Sequence, residues 1–135
     1  MSDVIVSIGK RKKAIARAFI KKGSGRLRIN SKSLEILKPR YNNLRIKEVL
    51  QLAGELANKV DIDVIVRGGG VWGQTDAIRT AIANALIKWN DDSKLRDLYL
   101  DYDRSILISD SRRTEPHKPS RSSAGPRRTK QQSKR

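Results

Sequence analysis

The sequence of 135 residues contains no cysteine, one histidine and one phenylalanine. The absence of cysteine excludes disulfide bonds and thiolate metal sites. The single histidine, His117, has no second imidazole with which to bind a metal, and no His-oriented nucleophile can form inside a folded domain. With one phenylalanine, the hydrophobic core must be mostly aliphatic. We therefore expect neither a metal site nor an enzyme.

Long apolar stretches are also missing. The longest apolar runs fall far short of the roughly 20 residues that a membrane-spanning helix requires. The first residues, MSDVIVSIGKRKK, lack the order of a secretory signal, in which basic residues precede a long apolar stretch. We therefore expect a soluble cytoplasmic protein with no membrane partner.

Positive charge is what the sequence has in excess, with 30 basic against 14 acidic residues and a formal net charge of +16. Residues 1–32 hold ten basic residues and one acid, and residues 112–135 hold nine and one, whereas residues 33–111 are nearly neutral with eleven and twelve. Such an excess attracts polyanions and says little about fold. Nucleic acid is therefore favoured as the partner over an anionic membrane surface, and we expect no small-molecule substrate.

Four short runs have the composition of β-strands. Alternating or β-branched residues predict strands at residues 4–8, 14–20, 26–30 and 61–66. The Gly-Ser-Gly turn at residues 23–25 predicts that the second and third runs form a hairpin. Because side chains alternate along a strand, Arg26 and Arg28 share a face that is free to meet a polyanion. Leu27 and Ile29 then face the core.

Apolar spacing predicts three helices, at residues 45–60, 75–89 and 93–100, and a short helical turn at residues 33–37. The second helix is the clearest, and Thr75 or Asp76 can cap its start. Its apolar stripe consists of Ile78, Ile82, Ala85, Leu86 and Trp89. In the third helix we expect Leu95, Leu98 and Tyr99 to point inward.

Together these elements predict an α+β fold, a single compact domain at residues 1–111 whose mixed sheet carries helices on one face. Residues 112–135 differ in character, because they contain three of the four prolines and, apart from one alanine, no apolar residue. Such a segment cannot bury enough surface to offset its ordering entropy, so this basic tail should be disordered when free. Kept extended by its prolines, it can reach about 75 Å from the domain.

A basic cluster, Gly-Lys-Arg-Lys-Lys at residues 9–13, lies between the first two predicted strands. A charge run of this kind is usually a solvated surface or a localisation signal. Arg17, Arg26 and Arg28, together with Lys21 and Lys22, lie on the adjoining strands, so the charges should form one patch. We interpret that patch as a phosphate-binding face.

Residues 68–73 spell G-x-G-x-x-G between a predicted strand and a predicted helix, which is the local context of a dinucleotide-binding turn. The pattern lacks the second parallel strand of such a site, and the chain is too short for a doubly wound sheet, so we expect no cofactor. Two interpretations remain open. Either the glycines let the strand turn tightly into the helix, or their backbone amides hold a phosphate of RNA. Trp72 can stack on a base, and its role is undecided.

Two pairs of acids have a spacing that can hold a divalent ion in a strand. They are Asp61 with Asp63 and Asp101 with Asp103. Surface acids that increase solubility are the favoured interpretation of both pairs.

Four stretches, in order along essentially the whole chain, resemble the universal small-subunit ribosomal protein family numbered nine. They are the glycine, lysine and alanine pattern of residues 9–30, the block Gly-Gly-Gly-Val-Trp-Gly-Gln at residues 68–74 with Ala-Ile-Arg at 77–79, Asp-Ser-Arg-Arg-Thr-Glu at 110–115, and Ser-Lys-Arg at 133–135. Arg67 stands where bacterial members usually carry lysine. The serine- and proline-rich stretch at residues 115–126 looks more like the archaeal branch.

The resemblance implies a structural constituent of the small-subunit head that binds rRNA beside neighbouring ribosomal proteins. It also implies that the C-terminal extension threads through the head, so that Lys134 and Arg135 contact the peptidyl-site tRNA. The residues expected to bind rRNA are Lys10, Arg11, Lys12, Lys13, Arg17, Arg26, Arg28, Arg67, Gly68, Gly69, Gly70, Gln74, Arg79, Arg112, Arg113, Lys118, Arg121, Arg127, Arg128 and Lys130. A free-standing nucleic-acid-compacting protein is the alternative that composition alone permits, and a small nucleotide-using enzyme resting on the glycine turn is a more distant one.

Overall fold

The computed structural model describes residues 4–33, 40–91 and 93–113. Within them a five-stranded sheet packs against three helices, which confirms the predicted α+β fold with a mixed sheet. The strands are β1 (Ile5–Arg11), β2 (Ala14–Lys22), β3 (Leu27–Ile29), β4 (Lys32–Ser33) and β5 (Val60–Arg67). The helices are α1 (Arg40–Ala53), α2 (Val71–Asn90) and α3 (Ser93–Tyr102), with 3-10 turns at Gly54–Lys59 and Arg104–Ile106.

The strands lie in the order β1-β2-β5-β3-β4, with β3 parallel to β5. The predicted hairpin between the runs at residues 14–20 and 26–30 is therefore wrong, because β5 lies between them. The connection at residues 23–25 passes the start of β5, where Gly23 donates a backbone hydrogen bond of 3.0 Å to Lys59. The long β5 offers β2 a more extensive ladder than the three residues of β3 can.

The hairpin of this fold is formed instead by β1 and β2. The two strands pair antiparallel, with Ile8 opposite Arg17 and Arg11 opposite Ala14. Their connecting turn is Lys12 and Lys13, so the basic cluster lies at the tip of a hairpin.

Alternation along the strands places small and aliphatic side chains against the helices. The buried positions are Ala14, Ala16, Ala18 and Ile20 in β2 and Val60, Ile62, Val64 and Val66 in β5. The alanines let α2 lie close to the sheet, and a Cβ atom at Gly9 of β1 would collide with the carbonyl oxygen of Ala77 in α2. On the opposite face of the sheet the side chains of Val6, Ile8, Ile15 and Ile65 are exposed.

The first predicted helix, at residues 45–60, is shifted. Helix α1 begins at Arg40 and ends at Ala53, because Gly54 takes φ +65 and a 3-10 turn follows it. Val60, predicted as the last helical residue, is the first residue of β5. The buried residues of α1 include Ile46 and Val49, as the apolar spacing indicated.

The second predicted helix begins four residues earlier than expected. Helix α2 starts at Val71 with Gly70 as its N-cap, and no side chain caps it, so the predicted caps Thr75 and Asp76 are wrong. Both residues lie inside the helix, where the Thr75 hydroxyl donates a 2.9 Å bond to the carbonyl oxygen of Val71. The early start brings the glycine turn directly onto the end of the helix.

The third predicted helix is confirmed as α3. Of the three residues predicted to point inward, two do so. Leu95 and Tyr99 are buried, whereas Leu98 is 44% exposed, so its predicted inward position is wrong. The short helix buries a narrow stripe at positions i and i+4. Tyr99 fixes that stripe, because its hydroxyl donates a 2.8 Å hydrogen bond to the carbonyl oxygen of Val49 in α1.

Two predictions extend beyond the described part of the chain. Of the predicted helical turn at residues 33–37, only Ser33 is described, and it ends β4. The tail at residues 112–135 lies outside the described residues from position 114 onward, so the boundary between domain and tail stays a prediction. In the described part of the chain no helix is long and apolar enough to cross a membrane.

Candidate nucleic-acid interface

The turn between β1 and β2 presents lysines at one end of the sheet. Lys10, Lys12 and Lys13 are exposed, and Lys12 takes the left-handed conformation at φ 54 that the tight turn requires. Arg11 differs from them, because it is half-buried, is paired with Asp110, and lies 3.8 Å from Asp76. Three cations of the predicted cluster are therefore accessible, and the fourth is held inside by carboxylates.

The glycine turn packs directly against the lysine turn. Gly68 and Gly69 have φ values of +80 and +69, which favour glycine. A Cβ atom at Gly68 would collide with the carbonyl oxygen of Lys13, and one at Gly69 would lie 3.0 Å from the Cβ of Ala14. Gln74 braces the turn by donating a 3.1 Å bond to the carbonyl oxygen of Gly68. The chain's own packing therefore accounts for Gly68 and Gly69.

Gly70 is in a different position from its two neighbours. Its φ of −98 is accessible to any residue, and no atom lies within 4 Å of the place where a Cβ would be. It is the N-cap of α2, whose first backbone N–H groups have no partner within the helix and carry the positive end of its dipole. Internal packing does not require glycine at this position. The interpretation that RNA approaches the backbone therefore remains open at Gly70.

The last described residues join the same end of the domain. Asp110 accepts bonds from the backbone N–H of Arg112 at 2.8 Å and from its guanidinium Nη2 at 2.6 Å, and it also pairs with Arg11. The Arg112 hydrogen bonds, side chain first, hold the pKa of the Asp110 carboxyl far below its ordinary value of 3.8. Arg113 donates a 2.8 Å bond to the carbonyl oxygen of Lys12. Residues 110–113 are thereby fastened to the lysine turn.

The exposed face of the sheet mixes cations with aliphatic side chains. By strand register, Arg17 lies between Ile8 and Ile65. Residue Arg67, opposite Ile15, is also exposed. A depression of about 400 Å³ on this face is lined by Lys13, Ile15, Arg17, Phe19, Ile65, Arg67 and Gly68. The depression runs from the middle of the sheet to the lysine and glycine turns.

The two arginines of the third predicted strand are separated from this end. Arg28 lies in β3 opposite Asp63 and is half-buried. Arg26 precedes β3, and its backbone N–H donates a 3.0 Å bond to Asp61. Neither arginine adjoins the lysine turn, so the single patch predicted from the sequence is divided in the folded domain.

Arg79 is placed in the interior. Its side chain is 4% exposed, and the guanidinium lies 3.3 Å from Glu48, 3.9 Å from Asp103 and 4.0 Å from Asp76. Three carboxylates therefore already compensate the positive charge that would otherwise attract a phosphate. Its predicted contact with rRNA stays a prediction, but this position favours a structural role.

Asp61 and Asp110 have roles that sequence reasoning missed. Asp61 accepts 3.0 Å bonds from the backbone N–H groups of Ser24 and Arg26, so it orders the glycine connection instead of only adding surface charge. No local pattern reveals this role, because the amides come from a segment more than 30 residues away.

Among the described residues no group of three or more His, Cys, Asp or Glu side chains can hold a metal ion.

The remaining predicted contacts lie outside the described residues. They are the rRNA contacts of Lys118, Arg121, Arg127, Arg128 and Lys130 and the tRNA contacts of Lys134 and Arg135.

A small α+β domain that gathers exposed cations at one end belongs to the class of basic domains that attract polyanions such as nucleic acid. Comparisons with known proteins define that class further. The family model for ribosomal protein S9/S16 matches residues 9–135. The small ribosomal subunit protein uS9 of Methanococcus vannielii is 49% identical over 130 residues, which cover 96% of this chain and 97% of that protein. The uS9 proteins of two Methanococcus maripaludis strains, C7 and C5, are 48% identical over the same coverage.

The chain therefore belongs to the S9/S16 family of ribosomal proteins. Family membership confirms the resemblance drawn from the sequence, and the identity to the Methanococcus proteins fits an archaeal-like member. It also makes the protein a structural component of the cytoplasmic ribosome and not an enzyme, with a part in translation.

Proposed function

We propose that this protein binds rRNA in the head of the small ribosomal subunit through one basic end of its domain and the adjoining tail. One observation supports this most strongly. The lysine turn between β1 and β2, the glycine turn before α2 and the residues at 110–113 come together, although they are distant in sequence. A binding interface requires several segments to meet on one surface. Scattered surface charges require no such arrangement.

The chemistry of this end suits a phosphate backbone. Lys12, Lys13 and Arg113 supply exposed cations, and the side chain of Arg112 is 75% exposed. The first turn of α2 adds backbone N–H groups beside them, at the positive end of a 20-residue helix. Phosphate contacts of this kind position a protein on RNA without reading its sequence. The expected specificity would then come from the shape of the folded rRNA.

The finer part of the proposal concerns the tip of the tail. By its resemblance to the family, the chain would continue beyond residue 113 through the subunit head, beside neighbouring ribosomal proteins. Lys134 and Arg135 would then contact the backbone of the peptidyl-site tRNA. Two observations support this finer part. The chain belongs to the family, and residues 110–113, which precede the rest of the tail, are held at the basic end of the domain.

Salt-dependent binding to purified small-subunit rRNA tests the rRNA interface. We expect Lys12→Gln and Lys13→Gln each to reduce the slope of log affinity against log salt by roughly 0.7–0.9, the effect of one lost phosphate contact. Lys59→Gln is the matched control, because it removes the same charge at the other end of β5. Equal effects at all three positions would refute a localised interface. Equally tight binding to duplex DNA would favour the alternative of a nucleic-acid-compacting protein.

A further inference from the structure

Asp110 is an acid in the middle of a surface proposed to bind a polyanion. It is surrounded by Arg11 on β1 and Arg112 two residues along, and both guanidinium groups are bonded to its carboxylate. Arg112 contacts it through the backbone N–H as well as the side chain, with Nε at 2.9 Å from Oδ2. One carboxylate therefore joins a strand of the domain to the first residues of the predicted tail.

The next residue extends this junction to the lysine turn. Arg113 donates through Nη1 to the carbonyl oxygen of Lys12, so its guanidinium is held beside Lys12 and Lys13. Arg112 is bonded to Asp110, and the next residue, Arg113, is bonded to Lys12. These contacts at successive residues restrict the direction of the backbone there. Arg112 and Arg113 are exposed, which leaves the outer side of each guanidinium open to solvent.

We propose that Asp110 is a positioning residue that makes a single phosphate-binding site out of two segments, the lysine turn at Lys12 and Lys13 and the arginine pair Arg112 and Arg113. The ligand is the phosphodiester backbone of RNA, and the inference rests on the rRNA-binding function proposed above. Without the carboxylate, the arginine pair would leave the lysine turn and the four cations would bind as separate charges. Because a flexible cation loses more entropy when it contacts a phosphate, the assembled site binds more tightly.

Charge alone predicts the opposite result, and this makes the inference testable. Asp110→Asn removes a negative charge from a protein of net charge +16, so simple electrostatic attraction would strengthen its binding to RNA. A positioning role predicts that Asp110→Asn weakens binding to purified small-subunit rRNA by at least about threefold, the effect of one poorly formed charge-assisted contact. Asp110→Glu keeps the charge and should restore part of the loss. Asp97→Asn, an exposed acid on α3, is the control for charge and should bind at least as tightly as the unchanged protein.

Distance measurement separates positioning from a general loss of structure. The chain has no cysteine, so spin labels can be attached at Lys22→Cys and at Ser111→Cys, an exposed position, in the full-length protein. The distance distribution should be narrow in the otherwise unchanged chain and broad with Asp110→Asn. If Asp110→Asn does not fold, Arg112→Gln removes the Arg112 side-chain bonds to Asp110 from an exposed position, leaves the Arg11 pair in place, and should also broaden the distribution.

The outcomes are distinct. Weaker rRNA binding with a broadened distance supports the inference. Unchanged or tighter binding overturns it, and so does weaker binding with a distance distribution that stays narrow. If Lys12→Gln and Arg113→Gln also leave binding unchanged, the rRNA interface itself is refuted. If those two variants weaken binding and Asp110→Asn does not, only the positioning role fails.

Discussion

The guanidinium Nη2 of Arg79 lies 3.3 Å from Oε2 of Glu48, and this ion pair joins the buried Arg79 of α2 to the partly exposed Glu48 of α1. The Tyr102 hydroxyl donates a 3.0 Å bond to the other Glu48 oxygen, which brings the end of α3 into the same cluster. The carboxylate also raises the pKa of the Tyr102 hydroxyl, because it accepts that bond from the neutral form. Arg79 and Glu48 therefore connect the three helices on the covered side of the sheet.

We expect Arg79→Gln to destabilise the fold by about 1–3 kcal/mol, because it removes a charged hydrogen-bond donor that is nearly buried. Urea unfolding measures this loss. The salt dependence of rRNA binding should remain unchanged in conditions where the variant is folded. Arg96→Gln, an exposed position on α3, is the control and should leave the stability nearly unchanged. A reduced salt slope with full stability would show that Arg79 contacts phosphate after all.

The glycine turn provides a matched pair of substitutions. Gly68→Ala should destabilise the domain by at least about 1–2 kcal/mol, because alanine is strained at positive φ and its Cβ would collide with the Lys13 carbonyl oxygen. Gly70→Ala meets neither obstacle and should leave the unfolding free energy within about 0.5 kcal/mol of the original. Thermal unfolding of both variants checks the contrast.

Gly70 also decides between the two interpretations of the turn. If RNA approaches the backbone there, the bulkier Gly70→Val should weaken rRNA binding while the isolated domain stays folded. Normal binding and normal assembly into subunits would mean that the triple glycine serves only the chain's own turn.

Asp61 should give the domain an acid-sensitive connection. Hydrogen bonds from the backbone N–H groups of Arg26 and then Ser24 lower its pKa from the ordinary value of 3.8. The carboxylate's contribution is therefore fully present above the unfolded pKa of about 4 and is lost as the pH falls through the lower folded value. The stability difference between the unchanged protein and Asp61→Asn should be constant at neutral pH and should shrink below pH 4 or so.

Denaturant unfolding at several pH values measures that difference. Asp63→Asn, two residues further along β5, is the control for loss of one carboxylate on the same strand. A difference between the unchanged protein and Asp61→Asn that does not depend on pH would contradict the role of Asp61 in holding residues 23–26.

Removal of residues 133–135 should leave folding and subunit incorporation intact, since it takes away two of thirty cations. It should weaken tRNA binding at the peptidyl site by on the order of 1–3 kcal/mol per lost phosphate contact. Because a guanidinium can bind a phosphate through two parallel hydrogen bonds, Arg135→Lys should have an intermediate effect. The measurement is tRNA dissociation from purified subunits at several salt concentrations. Equal dissociation rates for full-length and shortened protein would refute the tRNA contact.

The sequence by itself determined most of the elements and most of their inward faces. The sequence shows the alternation of apolar side chains in β2 and β5 and the apolar stripe of α2 from Ile78 to Leu86. It does so because burial selects apolar side chains at the period of each element. The distinct composition of residues 112–135 and the ordered motifs of the family could also be recognised from the sequence alone. The excess of positive charge indicated a polyanion partner without reference to any fold.

Only the tertiary structure decided which segments meet. Strand pairing between β2 and β5 displaced the hairpin that the turn at residues 23–25 suggested, because the longer ladder satisfies more backbone groups and no local pattern records a distant partner. The same long-range packing enclosed Arg79 among carboxylates, although its charge alone resembles that of the exposed Arg17. It also brought Arg113 to Lys12 across 101 residues of sequence. Periodicity is a local property of a chain, whereas ion pairs and composite surfaces depend on contacts that form only when the whole domain folds.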